Sequence, residues 1–140
     1  MAPNADDQTR RDLTGGPAES TTMRYACLVY FDQQGLFAHE ADVEVCTREG
    51  QAFNDDLAAR GHLVVSHALA PTADAMLVRV RDGKTSVMDG PFAETKEVLG
   101  GLVLIDARDL NEALKIAAEI PLARKGTIEV RPVLDAPAGP

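Results

Sequence analysis

The stretch DGPFAETKEVLGG, residues 89–101, decides how this chain folds. Its first half is a turn, in which Asp89 can accept backbone N–H bonds, Gly90 admits conformations closed to other residues, and Pro91 fixes the next φ. From Val98 onward an apolar run resumes, so the loop leads into a strand. Within residues 89–97 stand three carboxylates, a lysine, a threonine and one aromatic. Neither burial nor periodicity explains that set, and charge concentrated in a loop on rigid flanks marks function.

Just upstream, residues 76–80 and 85–88 flank Arg81-Asp82-Gly83-Lys84. An Asp-Gly pair between apolar runs predicts a projecting β-hairpin. Downstream, GLVLIDA at residues 101–107 reads as a buried strand. Asp109 then caps a helix with Glu112 three residues on, and Leu110, Ala113, Leu114 and Ala117 form its apolar stripe before Pro121 ends it. TIEVRPVL at 127–134 is a last strand, and Pro132 predicts an edge position or a bulge.

Toward the N-terminus, HLVVSHALA at 62–70 is another strand, ended by Pro71. Over residues 40–60, Val43, Cys46, Gly50, Phe53 and Leu57 recur at spacings of three and four, the stripe of an amphipathic helix stopped by Gly61. Gly50 inside that stripe predicts a close approach of a strand or ligand. MRYACLVYF at 23–31 reads as a strand buried on both faces and central in its sheet. Without the hairpin the order is strand, helix, strand, strand, helix, strand. That is an α+β, ferredoxin-like split βαβ arrangement with an inserted hairpin. Two helices cover one face of such a sheet, and the apolar other face predicts a homodimer.

The 140 residues fit one domain, expected to span 23–134. Residues 1–22, rich in Asp, Arg, Thr, Gly, Pro and Ser, predict a disordered tail that the fold does not need, and residues 135–140 a loose end. Arg10-Arg11 is followed by no apolar segment, so export is not expected. Fourteen basic against 22 acidic residues give a net charge of −8, which argues against direct nucleic-acid binding. No run approaches membrane-spanning length. Cys27 and Cys46 lack paired spacing, which predicts reduced, buried thiols in a cytoplasmic protein.

The strand MRYACLVY, the hairpin approach Val78-Arg79-Val80-Arg81-Asp82-Gly83, the motif DGPFAETKE before Leu99-Gly100-Gly101, the helix start at 109–113 and the closing Glu129-Val130-Arg131-Pro132 together resemble the DGPF-type branch of the YCII-related family. The resemblance covers about residues 23–134. It implies a ferredoxin-like fold with dimers in the dimeric α/β-barrel style. It also implies that most members have no settled activity, while relatives in the wider superfamily include a small-molecule dehydrochlorinase and are similar to muconolactone isomerases. Such genes often neighbour those of extracytoplasmic-function sigma factors, which opens a regulatory reading. The histidine and aspartate pair of the YCII branch does not carry over, because Gly50 and Ala59 stand near those places.

The residues themselves offer a candidate site. Asp89 reads either as a partly desolvated general base or ligand anchor, or as the fixer of its own turn. His67 is the second acid–base candidate, since its pKa permits proton transfer near neutrality. Glu94, Lys96 and Glu97 are candidate ligand contacts, Arg79 (with Arg81 on the same hairpin face) a candidate anion guide, and Phe92 either a plug for the loop or the wall of a pocket. His62 and His67 lie five apart on one strand, so simple alternation sends them to opposite faces and no metal site is expected. No phosphate loop, nucleophile elbow or dinucleotide fingerprint occurs, so no cofactor is expected. These residues point to a pocket near the DGPF loop for a small polar or anionic molecule, possible cofactor-free isomerase or lyase chemistry, and, as the alternative, a non-enzymatic module acting with a sigma factor.

Overall fold

Alternation along β1 (Met23–Phe31) builds the centre of the sheet. Tyr25, Cys27, Val29 and Phe31 are buried, while Ala26, Leu28 and Tyr30 between them are only half-buried. The strand therefore has one fully buried face, not the two expected from its continuous apolar run. The computed structural model describes residues 22–134, so the expected N-terminal tail (apart from Thr22) and the C-terminal end lie outside the described residues.

After β1 come α1 (Gln33–Phe37), α2 (Glu40–Ala59), β2 (Leu63–Ala68), the hairpin β3 (Met76–Arg81) and β4 (Lys84–Asp89), β5 (Val98–Ala107), α3 (Leu110–Glu119) and β6 (Thr127–Pro132). Short 3-10 turns at Thr72–Asp74 and Pro121–Arg124 complete the chain. The main sheet runs β2-β5-β1-β6, with every neighbour antiparallel. This α+β architecture is compatible with the ferredoxin-like pattern, and the hairpin forms a separate two-stranded sheet. β6 is an edge strand, which accommodates Pro132 without a lost ladder bond.

The core lies between one sheet face and the helices. Val103, Ile105 and Ala107 of β5 join the four buried residues of β1, Leu57 comes from α2, and Ala113, Ile116 and Ala117 come from α3. The other face has an apolar centre, Leu28 beside Leu102 and Ala26 beside Leu104. Its borders are polar: Arg24 pairs with Asp106 at 3.0 Å, and the Tyr30 hydroxyl donates to Glu129 at 3.1 Å while Arg131 holds the same carboxylate at 2.6 Å.

Three local readings change with the structure. The sheet register slips between Leu63 and Val65, so His67 lies opposite Leu102, while the His62 carbonyl accepts the Asp106 N–H. The slip puts both histidines on the open-face register, contrary to simple alternation. About four residues of β5, roughly 13 Å at strand rise, still separate them. Gly50 has no atom within 4 Å of an added Cβ, so close approach is not its reason. Gly90 is needed for crowding and not for a positive φ: an added Cβ would lie 2.9 Å from Ala75 Cβ, and the Gly90 N–H donates to the Ala75 carbonyl at 2.8 Å. The Asp82-Gly83 turn is as its residues predict, both at positive φ.

Candidate functional site

A helix of five residues, too short for a periodicity signal, forms one wall of the candidate site. Asp32 caps α1 by accepting the Gly35 N–H at 3.0 Å. That cap places Gln33 at the first helical position, where it is the one buried polar side chain among the described residues. Its Oε1 accepts the Thr72 N–H at 3.3 Å, which ties α1 to the turn after β2. Its Nε2 is buried without a hydrogen-bond partner. Because Thr72 N–H can only donate, the orientation of the amide is set, and the orphan group is a donor. An unpaired buried donor costs stability, so its persistence calls for an explanation in function.

Facing α1, the DGPF loop supplies Pro91, Glu94, Thr95 and Lys96, and the start of β5 supplies Val98. Between the two walls lies a cavity of about 730 Å³, also bordered by Asp32, Gln33 and Thr72. The loop holds its shape through side chains as well as through proline. Thr95 donates its hydroxyl to the Glu97 carbonyl, and Thr127 of β6 donates to the Glu97 carboxylate at 3.0 Å. Glu97 is thereby engaged in holding loop to sheet, and it does not line the cavity.

The remaining candidates lie elsewhere. Phe92 is 78% exposed, so it neither plugs the loop nor walls a pocket. The Arg79 guanidinium sits 6.0 Å from its ring centroid, at the outer limit of a cation–π contact. Asp89 is exposed at the end of β4 opposite Met76, so the partial burial expected of it from the sequence is missing. His67 is exposed on β2. Neither makes a side-chain hydrogen bond to another described residue; His67 borders a cavity beneath α2, which Asp89 does not line, and neither lines the cavity beside the DGPF loop. The geometry brings Glu94 and Lys96 together with Gln33, and it does not bring Asp89 to His67.

A second space lies beneath α2. Val29, Phe31, Leu36, Phe37, Val43 and Phe53 are among the walls of a cavity of about 290 Å³, with Cys46 and Gly50 on the same side of the helix. Both cysteines are free. Burial pushes the Cys27 thiol up to about 11 and raises Cys46, the latter against the opposing pull of Lys125. Neither is poised as a thiolate nucleophile near neutrality. Among the described residues no group of three His, Cys, Asp or Glu side chains could hold a metal ion. No described helix is long and apolar enough to cross a membrane.

The sequence pointed to the loop side of the 730 Å³ cavity and missed the α1 side. The one available signal was Asp32 three residues before Gly35, a capping pattern too short to register as a helix.

An uncharacterized protein of Rhizobium meliloti (strain 1021) is 41% identical over 115 residues, covering 79% of this chain and 92% of that protein. The YCII-related domain matches residues 23–137, a span that includes the whole sheet, all three α-helices and the DGPF loop. On both grounds the chain belongs to the YCII-related domain family.

Proposed function

We propose that the protein binds a small polar molecule in the cavity between the DGPF loop and α1. The observation that carries this reading is the convergence of Glu94, Thr95 and Lys96 on a wall containing Gln33, whose buried amide donor has no partner. Lys96 is opposed there by the carboxylates of Asp32 and Glu94. Asp32 is already engaged by the Gly35 N–H. Such a set fits a ligand with an anionic group for Lys96 and a hydrogen-bond donor for Glu94 better than it fits a simple anion. Arg79 would act only as an outlying guide, from the hairpin.

Cofactor-independent proton transfer of the isomerase or lyase kind, through Asp89 and His67, is the further step of the proposal. It has weaker support, because neither group lines the cavity between the DGPF loop and α1. We place the protein in the cytoplasm, and as a homodimer paired through the open sheet face in the dimeric α/β-barrel manner. The support for pairing is that face itself, an apolar centre of Leu28, Leu102 and Leu104 inside a rim of ion pairs, the anatomy of a protein interface.

The second reading, a non-enzymatic module acting with an extracytoplasmic-function sigma factor, draws on the exposed Phe92 and the exposed Val78, Val80 and Val87 of the hairpin. Co-purification from the native host separates the two. A stoichiometric protein partner lost on substitution of Glu94 and Lys96 favours regulation. A thermal-shift screen of small polar molecules tests binding. Hits should lose their stabilisation in Lys96→Ala and Glu94→Ala, because losing a charged hydrogen bond worth about 1.5–3 kcal/mol weakens binding roughly 10- to 100-fold. Hits that stabilise wild type and both variants equally would sink the proposal.

A further inference from the structure

The space beneath α2 has a chemistry opposite to that of the DGPF-loop cavity. Its walls are the rings of Phe31, Phe37 and Phe53 and the aliphatic side chains of Val29, Val43 and Leu36. Phe31 and Phe37 meet edge to face, with centroids 6.5 Å apart and planes at 89°, which leaves aromatic surface ordered along one side. No carboxylate, lysine or arginine lines it. The titratable residues on its border are Cys46, whose thiol burial keeps protonated near neutrality, and His67, which is exposed and in register on the other face of the sheet.

Two observations indicate that this space is kept open by the sequence. α2 runs for 20 residues yet fully buries only Leu57, near its C-terminal end, while Val43, Cys46, Gly50 and Phe53 on the same side are half-buried and border the cavity. Gly50 sits on the cavity side of those turns, and an added Cβ there would meet nothing within 4 Å. A larger residue at this helical position would fit sterically and would favour the helix, so glycine costs helix stability and returns only volume. At about 290 Å³, the cavity exceeds the roughly 150 Å³ of an apolar cavity known to take benzene.

We propose that the space beneath α2 is a second binding site, which takes a small neutral aromatic molecule. The ring would stack among Phe31, Phe37 and Phe53 at the place Gly50 leaves clear, and Asn54 and Ser66 on the border would orient a single polar substituent. A charged ring is disfavoured, because no carboxylate, lysine or arginine among the described walls offsets the loss of its hydration. This site is independent of the proposal for the DGPF loop.

Indole, titrated into the full chain, is the probe. Saturable NMR shifts are expected at the Val29 and Val43 methyls and the Gly50 amide, with benzoate binding at least tenfold more weakly. Gly50→Leu should weaken indole binding at least tenfold while raising or preserving thermal stability, and Gly50→Ala, which removes little volume, should retain it. Val43→Trp closes the same space from about two turns earlier and serves if Gly50→Leu does not fold. Lys96→Ala should leave indole binding unchanged, so failure of this site and failure of the DGPF-loop site are separately visible. The absence of saturable shifts, equal binding of benzoate, or undiminished binding by the occluding variant would each overturn the proposal.

Discussion

α3 and α2 pack on the same sheet face and do different things there. In ten residues α3 buries Ala113, Ile116 and Ala117, and its N-terminus is tied down twice: the Asp109 cap accepts the Glu112 N–H at 2.9 Å, and Glu112 accepts the N–H of Arg108, the residue before the cap, at 2.8 Å. Twice as long, α2 fully buries only Leu57, and His39 at its N-cap makes no side-chain cap bond. Apolar surface removed from water is the main favourable term in folding. By that measure α3 belongs to the core, and the first half of α2 is a roof over a cavity. A roof that contributes little to stability can be varied for ligands without unfolding the domain.

The largest test of this contrast is a pair of truncations. Ile116→Ala should destabilise the domain by about 2–5 kcal/mol, whereas Val43→Ala should cost less than about 1 kcal/mol because its side chain already borders a cavity. Urea midpoints measure both, and equal costs would erase the distinction. Caps provide a smaller contrast. Asp109→Ala should lose about 1 kcal/mol and His39→Ala almost nothing, read from thermal or urea unfolding. A comparable loss at His39 would show that α2 is anchored more firmly than its contacts indicate.

The smallest effect concerns pH and the open sheet face. Hydrogen bonds from Arg131, first, and from Tyr30 hold the Glu129 carboxyl below its ordinary range. A depressed folded-state pKa contributes stability that is present above the unfolded value and fades as pH falls through the folded one. Glu129→Gln should therefore lose this contribution at neutral pH, flatten the acid side of the stability profile between those two values, and converge with wild type below both. The group is solvent-exposed and screened, so the change should be small and should shrink further in high salt.

The architecture was legible wherever a local signal matched the global arrangement. The apolar run of residues 23–31, the Asp82-Gly83 turn and the Asp109 helix start each point to the element that forms, although the run predicted a strand buried on both faces and one face is buried. What escaped was set by contacts distant in sequence. The register slip at Leu63 moved His62 and His67 onto one face, and crowding against Ala75, not an unusual φ, fixed Gly90. Phe92 read as a plug because aromatic side chains favour burial, yet among the described residues it is left 78% exposed. The site divides in the same way. Glu94 and Lys96 were visible as an unexplained charge cluster, but Gln33 and Thr72, the opposite wall, stand more than twenty residues away from them in sequence and belong to elements too short to declare themselves.

The central claim is that the charged half of the DGPF loop and α1 form one binding site. Amide chemical-shift mapping with a polar hit from the thermal-shift screen tests it most directly. The account predicts saturable shifts at Gln33, Thr72, Glu94, Thr95 and Lys96, reduced at least tenfold in affinity by Lys96→Ala. Shifts confined instead to Arg79, Asp89 and His67, with affinity unchanged by Lys96→Ala, would contradict it.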